Sequence, residues 1–360
     1  MKYKSIVLSV FFAFLCLLFL YGLRISLFQE GDRGFDQLWK TADSLRDAGQ
    51  PRAAAEIVEK ILQKGIREKQ DPQWLRAHLY RLGMWAQFEE DLDEQAIRAT
   101  EQLIGVAEEP ARQILFSILA GQYTSYLNRN EWKLRGRTYI EGFRDSDFRN
   151  WDARTMRDTI AQLFLASIEN PGKLSTLPMQ EYEGLLIRDT LSGPLRPSML
   201  DFLAYRAIDY FSVEEGLPGS ESNIFRVDDP GYFEENESFL RIRFDRSPRV
   251  GNLKTALEIF QKLEQMHNEN QQKAPLIHAS FQRLNFVYQN SVLSDKDSLY
   301  AAALDRLSNR YHSYPYSTSV TFQLAQWYSE RRYPGKAFEI CQLAVERHPD
   351  RKSTRLNSSH

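Results

Sequence analysis

The sequence predicts an all-α chain: paired amphipathic helices preceded by one membrane-spanning helix. Three observations carry that prediction. Apolar residues recur at helical rather than alternating spacing along most of the chain. Gly and Pro gather at the breaks between those stretches. One uncharged apolar run, residues 6–23, opens the sequence.

That opening run has 18 residues, enough for roughly 27 Å of helix, close to the hydrocarbon thickness of a bilayer. Lys2 and Lys4 precede it, so the positive-inside bias keeps the N-terminus in the cytoplasm and places the chain beyond Gln29 outside it. The exit Leu23-Arg24-Ile25-Ser26-Leu27-Phe28 lacks the small-x-small pattern of a cleavage site. The expectation is therefore an uncleaved anchor over residues 1–30, with the rest of the chain across the membrane from the cytoplasm. A cleaved signal peptide, leaving a secreted or surface-exposed chain, is the alternative. Phe14 and Leu15 stand where lipoprotein processing at Cys16 would need small residues.

The net charge of -2 and the absence of clustered Lys and Arg give no nucleic-acid footprint. Only Cys16 and Cys341 are present, so no intramolecular disulfide is expected in an exported chain and stability must come from packing.

A first helical array is expected over residues 35–211. Leu38, Ala42, Leu45, Ala54, Val58 and Ile61 flank a break at Gly49-Gln50-Pro51. They occupy positions 4, 8, 11, 20, 24 and 27 of a tetratricopeptide repeat, whose small residues let two helices approach closely. Further helices are expected at 72–85, with Trp74, Leu75, His78, Leu79, Leu82 and Trp85 on the apolar side, and at 92–106. Pro110 opens another that ends near Asn128. Residues 129–150 read as an ordered, aromatic-containing insertion. Helices follow at 152–169, at 178–187 and from Pro197 to Phe211, the last burying Leu200, Leu203, Ala204, Ala207, Ile208 and Phe211. Residues 212–250 form an irregular connection, in which Leu240-Arg241-Ile242-Arg243-Phe244 alternates like a short strand.

A second array is expected over residues 251–350, with helices at 253–267, 275–290 and 299–311. The last of these is entered through Ser294-Asp295-Lys296-Asp297, which has capping-box character. The final pair is the clearest repeat: Leu324, Ala325, Tyr328, Ala337, Cys341, Ala344 and Pro349 match positions 7, 8, 11, 20, 24, 27 and 32. Residues 351–360 turn abruptly polar and resemble translated adapter sequence, so they are expected to lie outside the fold.

No phosphate-binding, dinucleotide-binding, zinc-protease, nucleophile-elbow or C-x-x-C motif occurs. His78, His267, His278, His312, His348 and His360 offer no pair spaced to ligate a metal from one helix face, and His78 reads as a core histidine beside Trp74. In the acidic run 89–94, a calcium loop counted from Asp91 would place Ala96 and Gln102 where Gly and Glu are required. The run reads instead as an acid-rich helix start, and Asp228-Asp229-Pro230 reads as a turn. Trp39, Trp85, Trp132, Trp151 and Trp327 read as packing residues. Asn236-Glu237-Ser238 fits a glycosylation acceptor. No catalytic, cofactor-binding or metal-binding residue is assigned, and no cofactor is expected.

Several blocks carry a family resemblance: residues 75–82, LRAHLYRL; 130–133, NEWK; 165–171, LASIENP; 195–211, LRPSMLDFLAYRAIDYF; and 285–293, NFVYQNSVL. In order and spacing, from Phe35 to Asp350, the chain resembles the N-terminal helical region of the alpha-2-macroglobulin-like proteins of Bacteroidetes-type bacteria. In that family the region precedes β-sandwich domains, a bait segment and often a thioester domain with a C-x-E-Q motif, and the whole is thought to trap proteases. Cys341 is followed by Gln342-Leu343-Ala344, so no thioester residue carries over.

What the resemblance implies is a non-enzymatic, membrane-anchored platform whose partners are proteins, either its own further domains or an envelope protein, with no nucleic acid. A self-contained tetratricopeptide scaffold is the alternative. An envelope enzyme built on residues 129–150 or 212–250 is a third class.

Overall fold

The computed structural model describes residues 34–85, 92–142, 144–185, 193–213, 224–244 and 251–349. The opening apolar run, residues 89–91 of the acidic run and the polar tail 351–360 lie outside the described residues. Among the described residues the fold is all-helical, without a strand. No described helix is long and apolar enough to cross a membrane.

The helices are α1 (34–47), α2 (Pro51–Arg67), α3 (Asp71–Trp85), α4 (Leu92–Val106), α5 (Ala111–Arg135), α6 (Ala153–Ser167), α7 (Pro171–Ser175), α8 (Met199–Phe211), α9 (Asn236–Phe239), α10 (Asn252–Glu269), α11 (Lys273–Asn290), α12 (Lys296–Arg310), α13 (Ser317–Glu330) and α14 (Pro334–Arg347). Short 3-10 turns occupy Phe148–Asn150, Met179–Leu185 and Pro230–Phe233. The chain divides into two compact units, residues 1–99 with 182–187 and residues 100–181 with 188–360.

In the first unit, Ala42 of α1 and Ala54, Val58 and Ile61 of α2 are fully buried. Leu38 and Leu45 are only half-buried, because Trp39 takes the deeper place on α1 and donates its indole N–H to Gln73 Oε1 at 2.7 Å. The α2–α3 contact is close enough to require glycine: a Cβ on Gly65 would stand 2.8 Å from Trp74 Cβ. Trp74, Leu75 and His78 are buried as expected; Ala77 and Met84 join them, and Leu79, Leu82 and Trp85 are half-buried.

In the second unit, α5 continues past Asn128 to Arg135. Nothing in Asn130-Glu131-Trp132-Lys133 breaks a helix, Leu134 is buried, and Glu131 pairs with Arg135 one turn on at 2.6 Å. The insertion expected over 129–150 therefore starts only at Gly136. It is folded around Tyr123, Tyr126, Phe148 and Trp151, whose ring centroids lie 5.1 to 6.4 Å apart. Trp132 is not a packing residue: it faces outward from α5, 82% exposed. Asp152 then caps α6, its Oδ1 accepting the N–H groups of Arg154 and Thr155 at 2.8 and 3.0 Å.

The helix expected at 178–187 is a 3-10 segment, Met179–Leu185, kinked at Tyr182. On α8 all six predicted core residues are buried. The expected strand at 240–244 is absent: the Gln261 side chain donates to the carbonyls of Phe239 and Ile242, and Phe239 and Phe244 turn into the core together. Asp295 makes no side-chain cap for α12. The capping box lies instead at α8, between Ser198 and Asp201.

One turn recurs at four helix junctions. After α1, α2, α10 and α13, a residue with positive φ, respectively Gly49 (73°), Lys69 (53°), Gln271 (55°) and Arg332 (64°), ends the helix. The next N–H bonds five residues back: Gln50 to Leu45 O at 2.9 Å, Gln70 to Gly65 O at 2.8 Å, Gln272 to His267 O at 2.9 Å, and Tyr333 to Tyr328 O at 3.0 Å. This is the Schellman arrangement, which satisfies the last helical carbonyls and reverses the chain within three residues. At α13 and α14 it joins a pair in which Leu324, Ala325, Ala337 and Ala344 are buried, Tyr328 and Cys341 are half-buried, and Pro349 is exposed.

Candidate functional site

The site is built on α10, which has two apolar faces. Its inner face carries Ala256, Leu257 and Phe260, all buried, together with two polar residues that a core face rarely tolerates, Glu264 and His267. Each is matched from a neighbouring helix. Arg283 of α11, 1% exposed, donates from Nε to Glu264 Oε1 at 2.7 Å, and its Nη atoms donate to the carbonyls of Tyr232 and Glu234. His267 Nε2 lies 2.7 Å from Asp201 Oδ1 of α8, and its Nδ1 lies 2.8 Å from Gln272 Oε1. The other Asp201 oxygen accepts the Ser198 hydroxyl at 2.6 Å and the Ser198 N–H at 3.0 Å.

Ser198, Asp201 and His267 bring the residue types of a hydrolytic triad together in an unusable order. The serine proton goes to the aspartate rather than to the histidine, so no base activates the hydroxyl. All three are buried. The buried Glu264–Arg283 ion pair, whose breaking typically costs about 3–5 kcal/mol, holds α10 and α11 in register, and the Asp201–His267 contact ties α8 to α10. Sequence reading missed it, although a charge on an otherwise apolar helical face at Glu264 and the S-x-x-D pattern at 198–201 were the available signals.

The outer face of α10 opens on a groove of about 640 Å³, closed on its other sides by α8, the end of α6 and α7. This lies within the range of ligand-sized cavities. The wall is apolar, formed by Leu165, Ile168, Leu200, Ala204, Leu263 and Met266. Leu165 is 40% exposed, a large aliphatic side chain held open to solvent. Three exposed charges stand at the rim, Glu169 just after α6, Lys262 on α10, and Glu269 at the end of α10.

The residues that the sequence singles out for possible chemistry lie elsewhere or are already engaged. His78 accepts from Arg81 Nη2 at its Nδ1, 3.3 Å away, and burial with that cation lowers its pKa to about 3. His278 accepts from Arg196 Nε at 3.2 Å and is lowered to about 4, mainly by burial and then by Arg196. The Arg196 guanidinium also lies 3.8 Å from the centroid of the buried Tyr205 ring, whose hydroxyl is pushed strongly upward by burial. Asp93 and Glu94 occupy the first turn of α4, and Asp229 caps the turn at Pro230–Phe233. Asn236 does not present an acceptor for glycosylation: it is 6% exposed and its amide nitrogen donates to Glu264 Oε2 at 2.9 Å. No group of three or more His, Cys, Asp or Glu among the described residues is placed to hold a metal.

Compared with known proteins, the chain matches no family model and no curated relative.

Proposed function

We propose that this chain is a non-enzymatic docking platform of a bacterial envelope, the N-terminal helical-repeat part of an alpha-2-macroglobulin-like protease-trapping protein. In this reading residues 6–23 anchor it in the inner membrane and the remainder stands in the periplasm. The observation that carries the platform is the recurring helix pair: two helices, a three-residue reversal and buried alanines on both helices, Ala42 and Ala54 in the first pair and Ala325 and Ala337 in the last. Such pairs stack by nearest-neighbour burial into tetratricopeptide-like solenoids that offer surfaces to partners. The five sequence blocks quoted above support the family assignment. The self-contained scaffold is the second reading, and the open groove on α10 favours it because a docking site of its own needs no further domain.

Helix pairs store no strain that a single cut releases, so the chain by itself should not trap a protease. Full-length chain in detergent is incubated with trypsin, and residual cleavage of a large protein substrate is measured. Unchanged activity is expected, whatever cuts the chain itself suffers. Stoichiometric loss of trypsin activity would overturn the platform reading. Sequencing of intact genomic DNA past Asp350 separates the two readings, the first requiring a frame that continues into β-sandwich domains.

A further inference from the structure

We propose that the groove between α6, α7, α8 and α10 binds a short amphipathic helix of a partner protein, carrying a basic residue at one end of its apolar face and an acidic one two turns away. This rests on the platform reading and names the class of partner it would hold. The length comes from α10. The lining residues run from Ile259 through Lys262, Leu263 and Met266 of α10 to Asn270 at its C-cap, spacings that keep one face of the helix and span roughly 16 Å, or three turns. An apolar trough of that length is what a helix fills with residues at i, i+3 or i+4, and i+7.

The charges set the polarity of the occupant. Glu269 lines the groove at the last residue of α10, and Glu169 lines it just after α6. The C-terminus of α10 adds partial negative charge beside Glu269, so that end of α10 favours Lys or Arg. Lys262 lies two turns earlier on α10 and favours Asp or Glu. Gly172 of α7 lines the groove, and a Cβ built there meets nothing within 4 Å, so a large side chain can be placed at this wall without entering the core.

The probe is a synthetic, fluorescently labelled helix of about four turns, with Leu along one face and Glu and Lys seven residues apart on its edge. Its control has that Lys replaced by Glu. Binding to the full-length chain in a mild detergent is followed by anisotropy. Saturable binding is expected, about tenfold tighter for the Lys-bearing probe than for the control, as two partly screened charges allow. The Gly172→Trp variant should lose about tenfold or more for both peptides. The double variant Glu169→Lys, Glu269→Lys should reverse the preference. Circular dichroism confirms that both variants are folded. No saturable binding, or a preference that neither variant alters, overturns the proposal. Because trypsin inhibition is read separately, failure here with trypsin unaffected removes the occupant and leaves the platform reading in place.

Discussion

His78 and His278 are each held against an arginine that has only protons to offer. The ring nitrogen facing the guanidinium must therefore be a bare acceptor, and burial adds to the cost of charging the ring. With folded pKa values near 3 and 4 against 6.5 for the ordinary group, the unfolded chain binds more protons than the native one below pH 6.5. Stability is lost as pH falls from 6.5, down to about 4 for His278 and about 3 for His78. At pH 5 each histidine should have cost about 2 kcal/mol. Thermal melts at pH 7 and pH 5 measure this: His78→Gln or His278→Gln should shrink the drop in Tm between the two pH values. An unchanged drop in both variants would mean that these rings are already charged or already exposed.

The recurring Schellman turns make the next argument, at the scale of the element. Only the first has glycine at its left-handed position; Lys69, Gln271 and Arg332 occupy the same conformation in the others. A side chain there carries a steric cost of roughly 1–2 kcal/mol, part of which glycine would return as greater freedom of the unfolded chain. Arg332→Gly and Lys69→Gly should each raise stability by about 0.5–1 kcal/mol, read from denaturant midpoints at constant slope. A loss in both would mean that the turns open in solution. The same turns show what was legible beforehand. The break at Gly49-Gln50-Pro51 was visible because Gly and Pro mark it. Gln271 looks like an ordinary surface residue, and α5 ran on to Arg135 because an aromatic and polar composition at 129–135 does not by itself stop a helix. The six core positions of α8 were readable because a 3.6-residue period over thirteen residues leaves little ambiguity.

For the molecule as a whole, the groove had no local signature. Leu165, Leu200 and Met266 come from three separate helices, and each in its own stretch reads as one more core residue. Only tertiary packing leaves Leu165 uncovered. The buried charges beneath the groove were equally hidden, since Glu264 and Arg283 are separated by a full helix junction and neither suggests its partner. The all-helical class was accessible from periodicity, whereas the surface on which a partner would act depends on distances between helices.

The clamp formed by Asp201 with His267 and by Glu264 with Arg283 also governs how this region comes apart. Freeing α10 or α11 strands a charge in the interior, and freeing α8 leaves the buried His267 ring without its Asp201 partner, so the three should not fray independently and should exchange their amide hydrogens as a single foldon. Native-state hydrogen exchange read by mass spectrometry should give one common opening free energy for peptides from 199–211, 252–269 and 273–290. In Glu264→Gln the α11 peptides should separate from the α8 peptides. Should the three already open at different free energies in the parent chain, the buried pairs would be local contacts only. A common opening would mean that the groove wall survives intact or vanishes at once, and that any ligand held there reports on the integrity of all three helices.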